Sequence, residues 1–171
     1  MNAKLLSTGA ALGAAALLLS ACGGGESEAT RESGVPLVQE GKLTVCTHLS
    51  YKPFEFEEDG DVVGFDIDIV DAVAESLGVE TEIVNTPFET ITTGAAFNQG
   101  QCDIAAAGMT ITEERAAVIG FSDGYFEANQ SVVVPEDSSV AAEGDLAGTA
   151  LGAQQGTTGL LYAQENLSDA E

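Results

Sequence analysis

Three short apolar runs, at residues 43–47, 79–84 and 103–107, are separated by stretches of helical periodicity, and this alternation restricts the chain to an α/β fold. Strand–helix–strand units of this kind cross over right-handedly, so the sheet they build is largely parallel. Between the first two runs, Ile67, Val70, Val73, Ala74 and Leu77 recur at helical spacing. Asp66 and Asp68 sit where the helix dipole favours negative charge, and Gly78 is placed as a C-cap. Between the second and third runs, residues 89–98 read as a helix weakened by Gly94. Phe54 to Phe56 and Val62-Val63 flank the turn pair Asp59-Gly60, which predicts a small hairpin. Thr112 is placed to cap a short helix running through Arg115 to Val118. In a parallel sheet, ligands lie beyond the carboxyl ends of the strands. His48 and Tyr51 follow the first strand and residues 108–115 follow the third, so the topology brings them to one crevice.

Past residue 129 the pattern is extended, then breaks at residues 135–139 in what reads as a crossing between lobes. Residues 149–154 read as a new strand, followed by Gln155-Gly156-Thr157-Thr158 and a helix containing Leu160, Leu161 and Ala163. One strand and one helix cannot cover their own apolar faces, so the second lobe reads as only begun and the chain as C-terminally truncated. The expected organisation is a signal peptide at 1–21, a linker at 22–41, a first lobe at 42–134, and a hinge with the start of a second lobe at 135–171.

The signal reading rests on Lys4 followed by an apolar run at residues 10–19, too short to span a bilayer. Leu19-Ser20-Ala21-Cys22 resembles a bacterial lipobox, which makes Cys22 the expected lipidation site and the membrane anchor. The Gly- and Glu-rich stretch after it has nothing to bury and reads as a flexible leash. For Cys46 and Cys102 two readings stay open. An extracytoplasmic compartment permits a disulfide between them. Both fall at predicted strand positions, offset along neighbouring strands, which suits two small buried hydrophobes better than a bond of demanding geometry.

The 28 Asp and Glu against 5 Lys and Arg give a formal charge of -23, which excludes nucleic acid as a partner and disfavours anionic surfaces. Arg115 is the last cation in this chain, and its planar fork suits a carboxylate held by two parallel hydrogen bonds. The competing reading is a surface Arg answering Glu113 or Glu114, a pairing that contributes little. No metal spacing surrounds His48, and no cofactor motif is present.

Gly64-Phe65-Asp66-Ile67-Asp68-Ile69 with Val73-Ala74 and Leu77, Tyr51-Lys52-Pro53-Phe54, residues 103–115, Phe121-Ser122-Asp123 and Gly156-Thr157-Thr158 agree together in order and spacing with one family. The chain resembles the family 3 solute-binding proteins of ABC transporters, which bind polar amino acids. The resemblance implies a periplasmic-binding-protein-like fold of two α/β lobes that close on a ligand and present it to an ABC permease. It implies Tyr51 and Phe88 as rings enclosing the ligand's carbon chain, and Gly108 as a carbonyl acceptor for the α-ammonium. Thr110 and Arg115 would clamp the α-carboxylate, with Thr158 as the donor from the second lobe. Gly64 and Asp66 are read as architectural, and Gln154 and Gln155 as readers of the ligand's side chain.

Two departures bear on specificity. His48 stands where relatives often carry an Asp that reads a cationic side chain, although a hydrogen-bonded structural histidine fits equally well. Ala107 offers no hydroxyl where some relatives offer Ser. Both turn the expectation toward a glutamate- or glutamine-like ligand. Related scaffolds also include dehydratases acting on cyclic carboxylic acids, the alternative reading, but such chemistry needs an acid or base in the cleft and only His48 is a candidate.

Overall fold

The computed structural model describes residues 34–167 and residue 170, so the predicted signal segment, Cys22 and the first part of the predicted linker lie outside the described residues. The elements run β1 (Lys42–Thr47), β2 (Phe56–Glu58), β3 (Asp61–Val63), α1 (Phe65–Leu77), β4 (Glu80–Asn85), α2 (Phe88–Thr92), α3 (Ala95–Asn98), β5 (Ile104–Ala105), α4 (Glu113–Ala116), a 3-10 turn (Glu143–Leu146) and α5 (Thr158–Asn166). Among the described residues no helix is long and apolar enough to cross a membrane.

The sheet has the order β4-β1-β5 and is parallel throughout, with Val45 opposite Ile83 on one side and Ile104 on the other. Strand β1 is central and buried from Leu43 to Thr47, as a strand covered on both faces must be. Its alternate residues serve two cores. Leu43 and Val45 pack with Val70 and Ala74 of α1 and with Ala106, whereas Cys46 packs with Ile91, Ala96, Cys102 and Ala107 under α2 and α3. The chain passes from β1 to β4 on one side, then crosses back to β5 on the other. The carboxyl end of β1 is therefore a switch point, where an open parallel sheet leaves a crevice.

Helix α1 buries Ile67, Val70 and Ala74, but Val73, expected on the core face, is 39% exposed. Gly64 precedes this helix at φ 135, where a Cβ would run into the carbonyl of Phe54, so only glycine fits between hairpin and helix. The hairpin turns on Asp59 and Gly60, both at positive φ, as a two-residue turn of matching twist requires. The helix expected at 89–98 divides into α2 and α3 at Gly94, at φ 76.

Several expectations give way. The third strand shortens to Ile104–Ala105, and Cys102 lies in the loop before it, not in a strand. Cys46 pairs with Ala105 in register, so Cys102 is offset by the loop; the loop nevertheless carries it back until the two Cα atoms are 5.6 Å apart, and the disulfide is formed. No strand forms at 149–154, because no neighbouring strand lies beside it among the described residues and an unpaired extended run gains no ladder bonds. Within the predicted linker, Leu37 packs on the core beside β1 and the Val38 N–H donates to Asp103 Oδ1 at 2.6 Å. The other oxygen of Asp103 accepts from the Thr44 N–H at 2.8 Å, so one carboxylate fastens the incoming chain to β1.

Candidate functional site

The strands β1, β4 and β5 deliver their carboxyl ends to one cavity of about 340 Å³. His48 and Tyr51 come from the segment after β1, Phe88 from the start of α2, and Ala107, Gly108, Thr110 and Arg115 from the segment after β5. Thr158, the first residue of α5, completes the wall, so of the ten residues singled out in the sequence for ligand contact all but Gln155 line the same space.

Arg115 is the dominant charge. Thr112 caps α4 by accepting from the Arg115 N–H at 3.2 Å, which orients the turn that carries the guanidinium. The side chain is 7% exposed, donates from Nη1 to the Thr110 carbonyl at 2.7 Å and from Nη2 to the Gly156 carbonyl at 2.8 Å, and lies 5.5 Å from the centre of the Phe88 ring. Burial lowers its pKa from the ordinary range, with the charge of Glu114 acting the other way. Glu113 and Glu114 are exposed, and among the described residues the one ion pair is Lys42 with Glu82. A buried guanidinium held by two carbonyls, with no carboxylate in ion-pair range, keeps its charge for something that enters the cavity. Two of its five N–H groups are used by protein, which leaves donors for an incoming anion.

Gly108 forms the corner opposite. Its φ is +52, its N–H donates to Asp66 Oδ2 at 2.7 Å, and a Cβ there would stand 2.6 Å from Tyr51 Cε1. Asp66 is thus more than a helix-start residue. It is fully buried, and it also accepts from the Tyr125 hydroxyl at 2.9 Å. The Tyr51 ring stacks on Phe54 at 5.3 Å and is 49% exposed, open on its other side to the cavity. His48 bonds through Nδ1 to the Thr86 carbonyl at 3.1 Å, as a structural histidine does, and also lines the cavity. Among the described residues no group of three His, Cys, Asp or Glu side chains is placed to hold a metal ion.

Polar contacts tie α5 to the first part of the chain. Thr158 Oγ1 lies 3.4 Å from Thr110 Oγ1 and accepts from Gln130 Nε2 at 3.1 Å. Thr157 caps α5 by accepting from the Leu160 N–H at 3.1 Å, which leaves the Thr158 and Gly159 N–H groups without an intrahelical partner, next in sequence to the Arg115 anchor at Gly156. Gln154 lines the cavity; Gln155 does not. Sequence reasoning missed Glu55, Gln130 and Gly156. Glu55 lines the cavity although it stands between two Phe residues in a hairpin arm, and an acid in that apolar frame was the one available signal. Gln130 lies in a stretch read only as a crossing, and Gly156 acts through its carbonyl, which no residue type announces.

Residues 43–165 match the model of the bacterial extracellular solute-binding proteins, family 3. The chain is 37% identical to the arginine-binding extracellular protein ArtP of Bacillus subtilis (strain 168) over 139 residues, which cover 81% of this chain and 51% of that protein. An ancestral arginine-binding protein bound to glutamine matches at 38% identity and a TM-score of 0.71 over 78% of this chain and 59% of that one. The ancestral amino acid-binding protein AncCDT-1, a precursor of cyclohexadienyl dehydratase, matches at 39% identity and a TM-score of 0.72 over 77% and 59%. The chain therefore spans about half the length of the curated relative, and the α/β architecture is that of periplasmic binding proteins with the second lobe partly covered. With a parallel sheet whose switch-point crevice holds a buried guanidinium anchored on two carbonyls, and a family match over residues 43–165, this chain belongs to the bacterial extracellular solute-binding proteins of family 3.

Proposed function

We propose that the protein captures a polar amino acid outside the cytoplasm and hands it to an ABC permease without any chemical step. The observation that carries this is Arg115, buried, fixed by two backbone carbonyls and lacking an acidic partner at the wall of a cavity the size of a small ligand. The ligand's carboxylate meets Arg115 and the Thr158 N–H at the start of α5, and its carbon chain lies against Tyr51 and Phe88. The ammonium meets the Gly108 carbonyl. A glutamine-like side chain is favoured over a glutamate-like one, because a chain of charge -23 repels a second carboxylate, for which the cavity wall offers no second cation besides Arg115 among the described residues. Cys22 is the proposed lipid anchor, with residues 22–41 as the leash, 42–134 as the first lobe and 135–171 as hinge and entry to the second.

Calorimetric titration with L-glutamine, L-arginine and L-histidine, using the open reading frame that carries this chain, tests the reading. Arg115→Ala should reduce affinity by about 100-fold or more, since a ligand carboxylate is left buried without its partner, at a cost of about 2–5 kcal/mol. Affinity equal to the wild type would end the assignment. Metabolic labelling with a fatty acid that is lost in Cys22→Ser tests the anchor. Turnover of a prephenate-like acid would instead favour a dehydratase.

A further inference from the structure

Two carboxyl groups are buried together beneath the Gly108 corner with no cation beside them among the described residues. Glu55 is 1% and Asp66 0% exposed. Asp66 has a donor on each oxygen, the Gly108 N–H at 2.7 Å and the Tyr125 hydroxyl at 2.9 Å. The Asp66 N–H donates to the Phe54 carbonyl at 2.9 Å, which brings Glu55 beside Asp66 so that the Asp66 carboxylate bears on the Glu55 carboxyl, and Glu55 Oε2 has no donor among the described residues. The Glu55 backbone is fixed as well, accepting from the Tyr51 N–H at 2.6 Å and donating to the Tyr51 carbonyl at 3.1 Å, and both residues line the cavity. Two ionised carboxylates cannot rest in contact in a dry site without a counter-charge. A proton on Glu55 removes the like charge and turns its oxygen into a donor for Asp66.

We propose that Glu55 and Asp66 share one proton as a carboxylic acid–carboxylate pair, and that through this pair Glu55 is a positioning residue for the Gly108 corner of the cleft. Calling that corner ligand-binding rests on the function proposed above; the pair itself does not. Burial first, and then the Asp66 charge, raise the pKa of Glu55 to about 8. The groups bearing on it are Asp66 of α1 and Tyr125 of the segment after α4, whose own pKa is pushed upward by burial and by Asp66. His48 and Arg115 are the other titratable or charged side chains on the cavity wall besides Tyr51. Above that pH the Glu55 proton passes to solvent, the two carboxylates repel, and Asp66 is drawn off the Gly108 N–H. The site then holds Gly108 less firmly where its carbonyl is needed.

The test is a titration of the full chain, without ligand, from pH 5 to 9.5, following the carboxyl carbons of labelled Glu and Asp and the Gly108 amide by NMR. The Glu55 carboxyl and the Gly108 amide should share one inflection near pH 8. Glu55→Gln keeps a donor for Asp66 but cannot titrate, so the amide inflection should vanish while the shift stays at its low-pH value. Tyr125→Phe removes a donor from Asp66, leaves it a stronger acceptor for the shared proton, and should move the inflection to higher pH. In titrations with L-arginine, L-histidine and L-glutamine, the ratio of wild-type to Glu55→Gln affinity should fall about tenfold between pH 7 and pH 9. That ratio cancels the ligand's own amine titration. A Glu55 inflection in the ordinary carboxylate range, or the same Gly108 profile in Glu55→Gln, overturns the proposal. If none of the three amino acids binds, the functional reading fails while the ligand-free titration still decides the pair.

Discussion

Replacing Gly108 by Ala separates a local backbone cost from damage to the cleft, because Gly100 provides a matched control. Both glycines sit in left-handed geometry, at φ +52 and φ +64, so each Ala variant meets the same backbone penalty of about 1–2 kcal/mol. Around Gly100 nothing lies within 4 Å of an added Cβ, and its cost should stop there. At Gly108 the new methyl would stand 2.6 Å from Tyr51 Cε1, so either the ring or the backbone must move. Moving the ring disturbs its stack on Phe54 at 5.3 Å, worth about 0.5–1.5 kcal/mol. Moving the backbone stretches the 2.7 Å bond from the Gly108 N–H to Asp66, a charge-assisted bond worth about 1.5–3 kcal/mol. Gly108→Ala should therefore lose about 2–4 kcal/mol against about 1–2 for Gly100→Ala, read from urea unfolding followed by circular dichroism. In calorimetry with the amino acid that binds best, Gly108→Ala should weaken affinity about 10- to 100-fold and Gly100→Ala should leave it within about twofold. Equal unfolding midpoints in the two variants, with unchanged affinity in Gly108→Ala, would refute the placement of this corner in the site.

Reducing the Cys46–Cys102 bond opens a loop with a sequence separation of 56, for which the chain-entropy relation gives about 4 kcal/mol, so reductant should lower the unfolding midpoint sharply. The same midpoint with and without reductant would contradict this. Stability should also carry the signature of Glu55. Its folded pKa of about 8 stands above the ordinary 4.5, so the stabilisation from its bound proton is complete below pH 4.5 and lost as pH rises through 8. Wild type should lose a few kcal/mol of stability relative to the non-titrating Glu55→Gln across that window, and a pH-independent difference would argue against it. Thr112→Ala removes the cap on the Arg115 N–H and should cost about 1 kcal/mol of stability together with a several-fold loss of affinity, as the turn bearing the guanidinium loosens. Wild-type affinity in that variant would show that the cap does not orient Arg115.

What was legible in the sequence follows from short-range physics. The alternation of apolar runs and helical spacing gave a parallel sheet, and Asp59-Gly60 gave the hairpin, because each signal lies within a few residues of the structure it specifies. Parallel topology alone then gathers His48, Tyr51, Phe88 and Arg115 at one end of the sheet. The misses are those where the deciding partner is remote. Residues 149–154 have strand character but no neighbouring strand, and Cys102 reaches Cys46 through the path of a loop. The double duty of Asp66 depends on Gly108, 42 positions away, and on Tyr125, 59 away. Glu55 was passed over because hydropathy describes an acid between two Phe residues as a solvent-facing arm, whereas the fold turns it inward against Asp66.

Strand β1 also fixes a direction in space. Its six residues, about 20 Å long, begin where Asp103 moors Val38 and Thr44 and end where His48 opens into the crevice. A tether of the kind proposed for residues 22–41 would therefore join the domain by Val38, at the far pole from the mouth. Anchored in that way, the domain would turn its mouth outward from the surface that holds it.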